Sequence, residues 1–301
     1  MHKESAKPFI KWVGGKGQLL SQLEALLPAD FDMRGDVTYV EPFIGGGAML
    51  FHMLKRHRNI RHAVIGDANP RLAMCYEVVR DSPQDLIALL ADVESEYMSL
   101  PDEAARKEYY LQKRREFNTP GLSKVETAAL LMFLNRTCFN GLYRENRKGE
   151  YNVPFGRYAA PVICNAPLIE ADSRLLQSVS VFTGDFAQAL DAVKTPAFFY
   201  LDPPYRPLNL TSSFNDYVKS EFGDSEQVRL KQFCDEICSR GHSFMLSNSD
   251  CADGFFDNLY EGYNIERVWA KRCVNANGEK RGKLTEIVVR NYETAFMLSA
   301  I

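Results

Sequence analysis

Asp202-Pro203-Pro204-Tyr205 follows directly on the apolar run AFFYL at 197–201, so three different chemical groups lie within four residues. A strand cannot continue through two prolines, because each lacks the N–H that a ladder needs. The chain must turn here, at the carboxyl end of a strand, which is where open α/β sheets bind ligands. Both prolines stiffen the turn and carry no N–H, so their carbonyls can be aimed as acceptors without competing local donors. A carboxylate, an acceptor carbonyl and an aromatic face suit a planar ring bearing an exocyclic amine. The carboxylate of Asp202 and the carbonyl of Pro203 each accept one N–H, while Tyr205 stacks on the ring. That grip draws the amine lone pair out of conjugation, and a methyl on a sulfonium is a fitting electrophile for it. Any one of these residues is explained by a structural turn after a core strand; the whole tetrapeptide at a strand end is far more specific.

A second constellation lies earlier in the chain. Phe43-Ile44-Gly45-Gly46-Gly47 follows a predicted strand and opens a predicted helix, and Asp67 stands twenty residues past Gly47. Glycines there permit positive φ and close approach of a ligand to the backbone. An acid at the end of the next strand is placed to bind ribose hydroxyls in a doubly wound nucleotide fold. A tight structural turn explains such glycines about as well when they stand alone. The GxGxxG and GxxxxGK[ST] fingerprints are both absent, and Gly14-Gly15-Lys16 has neither a long strand before it nor a Ser/Thr after it. A nicotinamide dehydrogenase and a P-loop nucleotidase are disfavoured.

Charge is unevenly spread. The 301-residue chain has a formal net charge of −3, yet residues 136–158 carry +3 and residues 267–283 carry +5, which leaves −11 for the remainder. Two basic islands in an acidic body fit a local polyanion site as well as they fit two solvated loops. The run Lys55, Arg56, Arg58 and Arg61 closes a helix and is taken as solvated surface. Seven cysteines form no regular framework and no pair of Cys/His pairs at zinc spacing, so they are expected as reduced thiols with no metal site. With 46% apolar and 25% charged residues the composition is that of a globular protein, neither disordered nor coiled coil. No leader-like apolar segment and no run of about twenty apolar residues is present, so a cytoplasmic protein is expected.

The elements that must position these groups alternate. Strands are predicted at 37–43, 62–67, 179–185, 197–202, 242–248 and 284–291, with helices over AMLFHMLKR and SEQVRLKQFCDEICSR. Strand, glycine turn, helix, strand is a βαβ pattern. A Rossmann-like α/β fold with a mostly parallel sheet follows. Residues 69–135 read as mostly helical and interrupt the alternation, so residues 1–82 and 176–301 are expected to form the catalytic body and 83–175 an inserted helical domain. The stretch 267–283 reads as a flexible loop.

These motifs carry a resemblance. The chain resembles the Dam-like family of N6-adenine DNA methyltransferases (D12 class, group alpha) over nearly its whole length. The matching segments are Lys11-Trp12-Val13-Gly14-Gly15-Lys16, Glu41 to Gly47, Leu134-Asn135-Arg136, Phe139 to Arg144, Tyr151 to Tyr158 and Asp202 to Tyr205, in the family's order. The resemblance implies a class I methyltransferase fold, S-adenosyl-L-methionine as donor, double-stranded DNA as partner and a monomer by default. By the same carry-over Trp12, Lys16, Phe43, Gly45, Gly47, Asp67, Asp185 and Asp202 hold the donor, and Asp202, Pro203, Pro204 and Tyr205 are catalytic. Lys11, Asn140, Leu142, Arg144, Pro154 and Arg157 meet DNA. Either Arg144 or Arg157 then grips a guanine edge bidentately, and Arg147 and Lys148 touch phosphate.

A recognition site of GATC, reached by flipping the adenine out of the stack, follows from the same resemblance. Restriction–modification is the setting such an activity serves. Cytosine N4 and RNA adenine present the same amine and stay open as acceptors, although Asp at the first tetrapeptide position favours adenine. A catalytically silent DNA-binding module is the reading from another class, and the intact Lys16, Asp67 and Asp202 speak against it.

Overall fold

The computed structural model describes residues 5–193, 196–207, 222–271 and 283–294. The chain divides into two compact units, each assembled from three stretches of sequence. One comprises Met1–Gly15, Gly45–Lys55 and Asp67–Gly184, the other Lys16–Ile44, Arg56–Gly66 and Asp185–Ile301. Seven strands and nine α-helices are present among the described residues, alternating at both ends of the chain and predominantly helical between.

The second unit is built on a sheet. Its strands are β1 (Val37–Glu41), β2 (Ile60–Asp67, leaving this unit at its last residue), β4 (Ala197–Leu201), β5 (Ser243–Ser249), β6 (Asn264–Lys271) and β7 (Lys283–Arg290). They pair in the order β2-β1-β4-β5-β7-β6. β1 runs parallel to β2 and to β4, and β4 runs parallel to β5. β7 returns antiparallel to β5, and β6 completes an antiparallel pair with β7. All five residues of β4, AFFYL, are buried, as a strand covered on both faces requires. Helices α1 (Leu20–Ala25), α8 (Asp224–Ser239) and α9 (Phe255–Leu259) belong to this unit. Phe199 of β4 meets Phe233 of α8 edge-on at 6.1 Å.

The mixed α/β architecture with a mostly parallel sheet matches the expectation from sequence, with one difference. Residues 264–271 form a strand where the sequence suggested the start of a loop. Asn264-Ile265-Glu266-Arg267-Val268-Trp269 breaks strict alternation at Glu266-Arg267 and at Val268-Trp269, so no clean period of two marks the strand, and its charges drew it into the second basic island. Arg267 of that island is neutralised by Asp250 at 3.1 Å and Asp257 at 2.8 Å. The rest of the island from 272 to 282 lies outside the described residues.

The first unit is mainly helical: α2 (Ala48–Arg56, whose last residue falls in the other unit), α3 (Pro70–Asp81), α4 (Pro83–Ser99), α5 (Glu103–Phe117), α6 (Lys124–Thr137) and α7 (Ala166–Leu176), with β3 (Val179–Thr183). The starts of these helices are written in the sequence. Asn69 caps α3 ahead of Pro70, Asp102 caps α5, and Ser123 with Glu126 forms a capping box on α6. Tyr97 of α4, Tyr110 of α5 and Phe133 of α6 are fully buried and pack ring against ring at 5.6 to 6.5 Å. This aromatic core fixes the helices that lead into the 137–158 segment.

Candidate active site and nucleic-acid interface

In the sheet unit, β4 delivers Asp202 at its carboxyl end. Asp202 Oδ1 lies 3.0 Å from Lys16 Nζ, and the side chains are only 18% and 6% exposed. The contact is a partly buried ion pair. Burial pushes the Asp202 carboxyl up to about 6 against the pull of the Lys16 ammonium, and the nearby Glu286 carboxylate adds to the rise. Lys16 Nζ also sits over the Tyr205 ring at 4.4 Å from its centroid. The Tyr205 hydroxyl donates to Glu286 Oε2 at 2.6 Å. Burial, then the Asp202 and Glu286 charges, hold that phenol protonated.

Two buried amides hold the tetrapeptide from behind. Gln227 of α8 donates from Nε2 to the Pro204 carbonyl at 3.1 Å, and Asn248 of β5 donates to Gln227 Oε1 at 3.0 Å. Asn248 Oδ1 accepts the Arg206 N–H, and Ser249 Oγ donates to the Arg206 carbonyl. The Pro204 carbonyl is thus committed, whereas the Pro203 carbonyl receives no donor among the described residues. Arg206 itself is clamped by Asp224 and Asp253, each at 2.7 Å.

Phe43 and Asp185 occupy the same unit. Phe43 packs on Phe186 at 5.2 Å and on Phe222 at 5.8 Å. Asp185 is held by Arg229 through bonds of 2.9 and 2.6 Å and accepts the Ala187 N–H. Hydrogen bonding to Arg229 keeps its carboxyl below the usual range. A ligand reaching Asp185 therefore competes with a guanidinium, a condition invisible in the sequence.

In the helical unit, the glycine turn is braced by side chains. Gly45 and Gly47 have φ of +48° and +72°. A Cβ on Gly47 would lie 2.6 Å from the Tyr76 hydroxyl, and one on Gly45 would lie 3.1 Å from the Trp12 ring. Packing on Tyr76 and Trp12 thus accounts for both glycines without a ligand. Tyr76 donates to the Gly45 carbonyl at 2.9 Å, and Trp12 stacks on Tyr143 at 5.2 Å. Asp67 Oδ2 accepts the Gly45 N–H at 3.2 Å and Oδ1 the Asn69 N–H at 2.9 Å. Burial raises its carboxyl, and those two N–H groups pull it back.

Residues 137–156 fold into an irregular hairpin. The Phe139 N–H donates to the Pro154 carbonyl, Gly156 N–H to the Thr137 carbonyl, and Asn152 N–H to the Arg144 carbonyl, all within 3.0 Å. Asn135, buried at the end of α6, accepts the Lys11 N–H at 2.9 Å and donates to the Lys11 and Gly141 carbonyls. One amide thereby ties the 11–12 segment to the hairpin, so Lys11, Asn140, Leu142, Arg144, Pro154 and Arg157 belong to one connected loop cluster. Asn140 and Arg157 have φ of +56° and +57°, a region costly for side-chain-bearing residues and often found at functional positions. The Arg144 guanidinium rests on Asn152, and Arg157 faces Glu103 at 3.6 Å, both largely in solvent. Arg147 and Lys148 are exposed at the hairpin tip.

Asn135, Gln227 and Asn248 were given no role by sequence reasoning, and Glu286 was not singled out at all. An acid inside the apolar run of β7 is the one signal that marked Glu286. Among the described residues, no group of three His, Cys, Asp or Glu side chains is placed to hold a metal ion, and no helix is long and apolar enough to cross a membrane.

Comparison with known proteins places these observations. The family model for D12 class N6 adenine-specific DNA methyltransferases matches residues 12–274. A type II methyltransferase of Methanocaldococcus jannaschii, M.MjaIII, is 45% identical over 95% of this chain and 99% of its own length. The type II methyltransferase M1.LlaDCHI of Lactococcus lactis subsp. cremoris is 40% identical over 97% of each chain. A DNA adenine methylase of Haemophilus influenzae is 30% identical over 94% of this chain and 92% of that one.

Proposed function

The chain belongs to the D12 class of N6 adenine-specific DNA methyltransferases, and from that premise we propose that it methylates adenine N6 within GATC in double-stranded DNA, with S-adenosyl-L-methionine as donor. The observation that carries this reading is the divided use of the two proline carbonyls. Gln227 occupies that of Pro204, while among the described residues the Pro203 carbonyl receives no donor, so it and the second oxygen of the Lys16-paired Asp202 carboxylate would take the two N–H bonds of one amine. Tyr205 supplies the face on which the flipped base stacks, which offsets the few kcal/mol of unstacking. With its N–H bonds held, the amine directs its lone pair at the methyl, and positioning supplies most of the rate.

The donor fits the residues present. Asp67 is a half-buried carboxylate already tied to the glycine turn, at the strand end where an acid binds ribose hydroxyls. Trp12, Gly45 and Gly47 shape that turn, and Lys16, Phe43 and Asp185 are assigned to the same ligand. S-adenosyl-L-methionine, when bound, supplies an electron-poor methyl. Asp202 also belongs to this set, since its carboxylate faces the Lys16 ammonium.

Residues 83–175 are assigned to target reading and the remainder to catalysis. Arg144 or Arg157 reads guanine, with Lys11, Asn140, Leu142 and Pro154 at the neighbouring bases. Two relatives named type II methyltransferases support a place in a restriction–modification pair in the cytoplasm, and a monomer suffices for every role assigned. The test is incubation with S-adenosyl-L-methionine and unmethylated plasmid, then modified-base sequencing. N6-methyladenine confined to GATC is expected. The same mark in another sequence overturns the reading of the hairpin, and no mark overturns the reading as a whole.

A further inference from the structure

Glu286 is an expensive residue where it stands. It interrupts β7, whose next three residues, Ile287, Val288 and Val289, are at most 1% exposed, and its own side chain is 14% exposed. A carboxylate in such a place costs free energy unless it is paired. The register of β7 against β5 sets Glu286 opposite Ser249, the last residue of β5. That is the sheet edge at which the chain leaves the parallel neighbour β4 for Asp202. There Glu286 Oε2 accepts the Tyr205 hydroxyl at 2.6 Å and lies 3.9 Å from Lys16 Nζ.

We infer that Glu286 is a positioning residue for the methyl-transfer step, fixing the plane of the Tyr205 ring through its hydroxyl and sharing the Lys16 ammonium with Asp202. The inference rests on the reading of Asp202 to Tyr205 as the adenine grip. Without the hydroxyl anchor the ring is free to turn about its side-chain torsions. With it, the ring is locked beneath the ammonium, 4.4 Å from its centroid, and the base is directed to the opposite face.

Steady-state kinetics on a GATC duplex test this with Glu286→Ala, Glu286→Gln, Tyr205→Phe and the Ala/Phe double variant. Glu286→Ala should lower kcat about tenfold, the scale of one lost hydrogen bond to a charged acceptor, with KM for DNA and Kd for the donor within about twofold of wild type. The Gln variant still offers an oxygen to the Tyr205 hydroxyl and should recover most of the loss. Tyr205→Phe removes the same bond, so the double variant should be no slower than the slower single one, the mark of two residues acting as a unit. Should the Ala variant fold poorly, the Gln variant and Tyr205→Phe carry the comparison. An Ala variant within twofold of wild-type kcat overturns the inference, as do losses that add or a Gln variant no better than Ala. Wild-type protein that leaves no N6-methyladenine in any sequence instead overturns the proposed function itself.

Discussion

At the scale of single residues, the proposed methyl transfer turns on whether Asp202 is ionised. In the proposed grip the carboxyl accepts an N–H, for which its charged form is the stronger acceptor. Burial pushes it up to about 6, with Lys16 lowering it and Glu286 raising it; Tyr205, Tyr200 and Tyr39 are further titratable groups that feel its charge. The single-turnover methylation rate should therefore fall as pH drops through about 6. Lys16→Met removes the lowering influence, so the acid limb should move upward at saturating donor; a limb that stays put would show that Lys16 and Asp202 are not coupled. Asp202→Ala should abolish methyl transfer while duplex binding persists, and near-normal turnover in that variant sinks the assignment. Asp202 to Tyr205 were legible in sequence because four adjacent residues carry the whole signal. Glu286, eighty-one positions from Tyr205, was not, because only strand pairing brings it there.

At the scale of elements, the hairpin proposed to read the target depends on backbone approaches that side chains would block. A Cβ on Gly156 would run into the Cys138 carbonyl oxygen and the Tyr158 ring, and one on Gly141 would lie 2.6 Å from Lys11 Cδ. Gly156→Ala should cost about 1–3 kcal/mol, the usual penalty of overpacking, read as a lower Tm. It should also weaken GATC duplex binding while donor affinity holds, because Gly45 and Asp67 stand on a different turn. Equal loss of both affinities would mean that the hairpin is not a separate reading element. The capped helices and the apolar strands were readable because their signals are local. Strand β6 escaped because its Arg267 advertises a polyanion site, yet Asp250 and Asp257 neutralise it, a pairing that no local pattern contains.

At the scale of the whole molecule, charge distribution separates finding DNA from reading it. A chain of net −3 repels the duplex everywhere except at its basic surfaces, so affinity should be concentrated in a few contacts and steeply salt-dependent. Arg147 and Lys148, exposed at the hairpin tip, are placed for phosphate, whereas Arg144 is oriented by Asn152 through bonds to both its side chain and its carbonyl. An arginine held in one orientation can address one base edge; a solvated pair at a tip cannot. Converting Arg147 and Lys148 to Ala should therefore weaken binding to all duplexes alike and reduce the slope of log Kd against log salt by about 1.8, at roughly 0.9 per phosphate contact. Arg144→Ala should instead narrow the gap between GATC and single-mismatch sites by about 1–3 kcal/mol with a smaller change of slope. Titrations of matched and mismatched duplexes at several salt concentrations separate the two. If the tip variants lose discrimination and Arg144→Ala keeps it, the hairpin reads DNA from its tip, and the orienting bond from Asn152 serves only to hold the fold.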